Sequence, residues 1–152
     1  MKYIKADSKL CGEIYSLVQL TIKTVYPKYY PKEVVSFFCT LHSLDNIGRD
    51  IENDNVYALF DNGILVGTGS FLDNHITRVY VLPEYQGRGY GTYIIRQLEN
   101  VIKQNYESSV LDASLPAAML YERLGYITVK HNKYIVKNDV VLVYEVMEKE
   151  LD

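Results

Sequence analysis

The sequence predicts a mixed α/β (α+β) fold, a central sheet with helices on both faces, and three observations carry that prediction. Apolar residues recur at helical spacing from Ile14 to Leu41 and again from Ile94 to Ile102. Between these stretches, from Val56, the apolar period changes to two and is punctuated by turn residues. The run Val79-Tyr80-Val81 then passes through Gln86-Gly87-Arg88-Gly89-Tyr90-Gly91-Thr92 directly into the second helical stretch, and this strand is expected at the centre of the sheet.

Lys2 to Ala6 forms a short first strand, and Asp7 or Ser8 can cap the helical segment after it. Ile14, Leu17, Val18, Thr21, Ile22 and Val25 trace the apolar stripe of a first helix, which ends by Pro27. Pro31 opens a second helix with Val34, Phe37, Phe38 and Leu41 on one side, and a weaker helical piece runs from Leu44 to Ile51. Val56 to Phe60 and Ile64 to Leu72 make an antiparallel hairpin around Asp61-Asn62-Gly63, and Asp73-Asn74 turns the chain into the strand Ile76 to Leu82. The helix after the glycines carries Ile94, Ile95, Leu98, Val101 and Ile102, with Arg96, Glu99 and Lys103 between them. Ser109 to Ala113 is a strand leading through Pro116 to a helix with Ala117, Leu120, Tyr121 and Leu124, ended by Gly125. Two strands, Tyr126 to Val136 and Val140 to Glu148, close the chain around Lys137-Asn138-Asp139, which gives a mostly antiparallel sheet of six to seven strands.

The 152 residues suit one domain spanning 1–152, large enough to bury a core without staples. A net charge of −3 without a Lys/Arg cluster argues against nucleic acid or an anionic membrane as partner. The start Met1-Lys2-Tyr3-Ile4-Lys5 has no apolar leader and no run approaches membrane-spanning length, so a cytoplasmic protein is expected. Cys11 and Cys39 lie in helical segments without a C-x-x-C or Cys/His partner set, and are expected as reduced core thiols. His42, His75 and His131 are scattered, with no pair at metal-ligand spacing, so no metal is expected.

A glycine-rich turn between strand and helix is a diphosphate site in outline. Gly87, Gly89 and Gly91 allow positive φ, so successive amides can point into one concavity at the positive end of a helix, and Arg88 adds a cation. The third glycine and following acid of a dinucleotide fingerprint are missing, as is the Lys-Ser/Thr of a P-loop.

What remains is Gln-x-x-G-x-G after Val-x-Val-x-Pro, and further on Ser114-Leu115-Pro116-Ala117-Ala118-Met119-Leu120-Tyr121-Glu122-Arg123-Leu124-Gly125-Tyr126. The first resembles the acetyl-CoA pyrophosphate loop of the GNAT superfamily of N-acetyltransferases. The second is similar to that family's Asn-x-x-Ala-x-x-x-Tyr-x-x-x-Gly-Phe segment, with Ser114 in place of the asparagine that often contacts the cofactor arm. The resemblance is clear from Val56 to about Ile127.

It implies a GNAT-type fold and transfer of an acetyl group from acetyl-CoA to an amine by direct attack in a ternary complex, with CoA as product. The backbone of Val79 and Val81 would pair with the pantetheine arm where this strand splays from Val110-Leu111-Asp112, and the Val79 amide would face the thioester carbonyl. Amides from Gln86, Gly87, Arg88, Gly89, Tyr90, Gly91 and Thr92 would hold the pyrophosphate, with Ser114 and Ala117 beside the arm. Tyr121 matches the position whose phenol commonly protonates the departing thiolate. A phenol, with a pKa near 10, is a donor at neutral pH without assistance. His75 falls where histone-acetylating members carry a glutamate base, although many members use a water chain, and a histidine at a turn edge is also ordinary. Glu145 and His131 are weaker candidates for the same role.

The resemblance also places the acceptor side at the first two helices and their connection. Here that connection is Tyr26-Pro27-Lys28-Tyr29-Tyr30-Pro31, and Tyr26, Tyr29 and Tyr30 can either wall in a cationic amine or simply cover a core edge. Arg78 and Tyr80 lie on the strand face opposite Val79 and Val81, and either can line the acceptor groove. The acceptor is left open between a small molecule and a peptide amine. A homodimer paired through an exposed final strand is a further expectation. Two alternatives stand beside catalysis: a non-catalytic CoA-binding regulatory or partner domain of the same fold, and an unrelated nucleotide-binding module.

Overall fold

The computed structural model describes residues 1–152 and builds a seven-stranded sheet between two helical layers. In chain order the elements are β1 (Lys2–Lys5), α1 (Cys11–Val25), α2 (Lys32–Leu41), α3 (Leu44–Glu52), β2 (Val56–Asp61), β3 (Ile64–Leu72), β4 (His75–Val81), α4 (Tyr90–Ile102), β5 (Ser108–Ala113), α5 (Ala118–Arg123), β6 (Ile127–Ile135) and β7 (Val141–Glu150). Across the sheet the order is β1-β2-β3-β4-β5-β7-β6, so β4 is the middle strand. Only β4 and β5 run parallel, and every other neighbouring pair is antiparallel.

Local chemistry sets the boundaries. Ser43 accepts a hydrogen bond from the Asn46 amide at 3.1 Å and starts α3, and the Asp7 carboxylate accepts from the Lys9 amide at 3.0 Å in the turn before α1. Asn62 and Gly63 take φ values of 50° and 78°, the left-handed pair that a tight hairpin between β2 and β3 requires.

Side-chain alternation divides the core between the two faces. Val66, Ile76, Val81, Leu111 and Met147 pack with Ile94, Ile95, Leu98 and Ile102 of α4. Ala58, Leu65 and Tyr80 meet Ile14, Leu17, Val18 and Ile22 of α1 and Ile47 and Ile51 of α3 on the other face. Each buried branched side chain contributes about 1.5–3 kcal/mol. Gly69 lets α4 sit close, because a Cβ there would lie 2.5 Å from Ile94 Cγ2.

The sheet corrects two expectations. The final strand is not exposed: β7 is inserted between β5 and β6, bonded on both sides, and β6 is the edge strand. The expected route to a dimer through the last strand therefore has no free backbone edge to use. Cys11 and Cys39 are free thiols but only half-buried, because both lie at the margin of the α1/α3 core. In α2 only Val34 is fully buried, since Phe38 and Leu41 line a cavity beside β4.

Candidate functional site

β4 and β5 pair only at His75 with Val110 and Ile76 with Leu111. Beyond those residues the two strands part, and a cavity of about 860 Å³ passes through the opening. The Leu82 amide donates to the Val66 carbonyl at 2.9 Å, so alternate amides along β4 face β3 while those of Val79 and Val81 face the opening. The Val81 carbonyl is already engaged: it accepts from Gln86 Nε2 at 3.0 Å and from Thr21 Oγ1 at 3.4 Å. Gln86 thereby ties the glycine loop to the strand, and its side chain is spent inside the protein.

At one end of the cavity the loop turns into α4. Gly87 and Gly89 have φ values of +77° and +88°, and a Cβ on either would meet nothing within 4 Å. None of the amides from Gly87 to Thr92 donates to a backbone carbonyl, and the first intrahelical bond of α4 runs from Tyr93 to Gly89 at 3.0 Å. Six consecutive N–H groups therefore stand at the positive end of a helix. Gly91 departs from the expectation, since it is helical with an ordinary φ. A Cβ on it would lie 3.3 Å from Leu120 Cδ2, so its smallness serves packing against α5. Arg88 folds back, with Nη2 donating to the Glu84 carbonyl at 3.1 Å and the guanidinium 4.9 Å above the Tyr85 ring. The Tyr90 hydroxyl bonds the Asp61 carboxylate, which joins the loop to the β2–β3 turn.

Ser114, Ala117 and Tyr121 line the wall opposite β4. Tyr121 is 7% exposed, and burial, followed by the neighbouring phenols of Tyr26 and Tyr126, pushes its pKa well above the ordinary phenol value. It therefore stays protonated throughout the neutral and mildly alkaline range.

The three loop tyrosines part company. Tyr26 is buried, and its hydroxyl donates to Tyr80 Oη at 3.1 Å and lies 3.5 Å from Ser114 Oγ. The Tyr30 hydroxyl accepts from the Leu115 amide at 2.7 Å, and its ring lies outside this cavity, among Pro27, Val35 and Cys39. Only Tyr29 both lines the cavity and is exposed. Two of the three thus serve chiefly to fasten the α1–α2 connection to the β5–α5 loop.

His75 lines the cavity at the opposite end of β4 from the glycines, with Nε2 3.8 Å from Asp112 Oδ2. Four residues along a strand, about 13 Å, separate it from Val79, so proton transfer between the two positions needs intervening water. His131 and Glu145 face each other at 3.9 Å on the β6–β7 hairpin and lie outside the cavity. No group of three or more His, Cys, Asp or Glu side chains is placed to hold a metal ion.

Sequence reasoning misses one cluster. The Arg78 side chain, 3% exposed, donates from Nε to His42 Nδ1 at 3.0 Å, from Nη1 to Ser70 Oγ at 3.1 Å and from Nη2 to Asp50 Oδ2 at 3.0 Å. The available signal is the alternation: Arg78 shares a strand face with the buried Tyr80, so a cation there needs partners from elsewhere. Burial first, and the Arg78 charge second, hold the His42 pKa down to about 3. His42 is thus neutral, with Nδ1 as acceptor and the proton on Nε2.

A pH dependence results. Below the ordinary histidine pKa near 6.5 the unfolded chain binds a proton that native His42 refuses, so this residue's contribution is complete above pH 6.5 and is lost progressively toward pH 3. The slope is at most about 1.4 kcal/mol per pH unit. Denaturant titrations from pH 7 to 4 on the wild type and His42→Gln check this: the wild type loses stability more steeply, and equal slopes would remove His42 from the balance.

With this geometry in hand, comparison with known proteins is decisive for the family. The profile of the Acetyltransferase (GNAT) domain matches residues 25–151. An uncharacterized acetyltransferase of Streptococcus pyogenes serotype M3 is 33% identical over 91 residues, a match covering 55% of this chain and 64% of that relative. The match thus spans less than two thirds of the relative's length. The structure of a GCN5-related N-acetyltransferase from Rhodopseudomonas palustris superposes with a TM-score of 0.90 at 21% identity, covering 99% of this chain and 95% of the other. The PaiA N-acetyltransferase of Thermoplasma acidophilum, solved with coenzyme A, gives a TM-score of 0.76 at 16% identity and 98% coverage of each chain. YncA of Salmonella typhimurium, solved with its cofactor acetyl-CoA, gives 0.75 at 20% identity, covering 100% of this chain and 94% of that one. The fold is the one these proteins share, and the matched profile spans the parted strands, the glycine loop and Tyr121 alike: the chain belongs to the GNAT acetyltransferase family.

Proposed function

We propose that this protein transfers an acetyl group from acetyl-CoA to an amine by direct attack in a ternary complex. The observation that carries the reading is the opening between β4 and β5, where the Val79 amide faces one continuous cavity shared with the glycine loop and Tyr121. The residues fit the cofactor: Gly87 to Thr92 offer unpartnered amides to a pyrophosphate, and no Cβ at Gly87 or Gly89 obstructs its approach. Val79, with Val81 beside it, would align the pantetheine arm as an added strand, and Ser114 and Ala117 would flank it.

Acetyl-CoA supplies the activated acyl group as a thioester. In the reaction a C–N bond forms, the C–S bond breaks and the sulfur gains one proton; an acceptor that enters as an ammonium loses two from nitrogen, one to free the lone pair before attack and one after the C–N bond has formed. The Val79 N–H stabilises the charge that develops on the carbonyl oxygen, and a well-aimed donor of this kind contributes about 2.7–4 kcal/mol. Tyr121 gives its proton to the sulfur. The protons lost by nitrogen leave through water toward His75 at the far end of the strand. The walls hold the partners in line and exclude bulk solvent.

Thermal unfolding with acetyl-CoA, CoA, ATP and NAD tests the cofactor. At a concentration about 100 times Kd a ligand adds about 2.7 kcal/mol, or roughly 5 to 11 °C for a chain of this size. The expected result is a rise with acetyl-CoA and CoA alone, together with thiol release in a panel of amines. A larger rise with ATP or NAD would overturn the reading, and a CoA rise without turnover would leave a binding domain.

A further inference from the structure

We infer that Asp50 is the anchor for the acceptor's cationic nitrogen, and that the acceptor is a primary amine carried on an apolar or aromatic body. This rests on the acyl-transfer reading and names the substrate class of the same cavity.

The argument starts from the cost of Arg78. A guanidinium with 3% exposure in the middle of a sheet forfeits several kcal/mol of hydration, and an apolar side chain would close the sheet equally well. Two of its partners are uncharged, the Ser70 hydroxyl and the neutral His42 ring, so Asp50 is its one counter-ion. The result is a carboxylate fixed at one oxygen by a donor that is itself held at two further points. Asp50 nevertheless lines the cavity with 35% of its side chain exposed, and a carboxylate bonded through Oδ2 keeps lone pairs for another donor.

The surrounding wall selects for a cation on an apolar frame. Tyr29, Phe38, Leu41 and Tyr80 line the same cavity, and aromatic faces attract ammonium groups as well as hydrocarbon. Of the other charged residues that line the cavity, Arg49 is exposed and bonded to Asn46, Asp112 lies 3.8 Å from His75 where β4 meets β5, and Arg123 stands on α5. Removing the Asp50 charge therefore removes the acid of the aromatic wall while an asparagine oxygen can still accept from Arg78.

The test is a calorimetric titration at pH 7 with 2-phenylethylamine, a cation at that pH, and 2-phenylethanol, its neutral counterpart, on CoA-saturated protein. The wild type is expected to bind the amine at least ten times more tightly than the alcohol. Asp50→Asn should abolish the preference while keeping the CoA-induced rise in Tm, Asp50→Glu should restore part of it, and Asp45→Asn, an equal change of charge on the first turn of α3, should leave it intact. Equal binding of amine and alcohol by the wild type overturns the inference without any variant. Retained preference in Asp50→Asn, or its loss in Asp45→Asn, does so as well. The readout is binding of the amine, so absence of turnover would count against the proposed reaction and leave this inference standing; if CoA does not bind, the same titration on the free protein decides it.

Discussion

Gly89→Val is expected to eliminate the rise in Tm that acetyl-CoA produces, with a loss of affinity of at least 100-fold, while the unliganded protein still folds. Gly89 caps α4 with φ +88° and ψ 2°, a conformation that costs an L-residue about 1–2 kcal/mol and a β-branched one more. The added side chain meets no protein atom within 4 Å of its Cβ, so the fold can accept it. What it occupies is the open space beside six amides that have no backbone partner, and the strain also shifts those amides. The measurement is a thermal scan of both proteins with and without acetyl-CoA. An undiminished rise in the variant would mean that the loop is not where the cofactor's phosphates sit.

Tyr121→Phe should lower turnover by roughly one to three orders of magnitude with acetyl-CoA affinity unchanged, in keeping with general-acid contributions. The ring is packed against Tyr126 with centroids 5.8 Å apart, and phenylalanine keeps that contact. Because burial raises the phenol's pKa, the wild-type rate should show no fall from ionisation of this group between pH 7 and 10. Steady-state thiol release with the best amine of the panel, with a separate binding titration, resolves the two effects. Unchanged turnover would remove Tyr121 from proton delivery.

The glycine loop and the strand and helix beside it are legible in the sequence because each obeys a local rule: period two to Val81, positive φ at Gly87 and Gly89, helical period from Ile94. Tyr121 is legible through its motif. The order of the last two strands is not, since a hairpin reads the same whichever arm joins β5, and only long-range register decides that β7 does. Nor is the Arg78 cluster, whose members are separated by 8 to 36 residues and share no motif. An aromatic loop says nothing about which way its hydroxyls point: Tyr26 lines the cavity while bonding Tyr80, and Tyr30 lies outside the cavity and bonds the Leu115 amide.

The brief meeting of β4 with β5 also bears on how the molecule breathes. Cooperative units in a sheet are bounded where the ladder is thinnest, and here that boundary falls between a four-stranded meander, β1 to β4, and the three-stranded piece β5-β7-β6. The two pieces still share the core under α4, so the weak point lies in the backbone ladder and not in the side-chain packing beneath it. A ligand lying along the seam would serve as the missing rungs, so that amides on both sides become slow to exchange together and the two pieces respond as one.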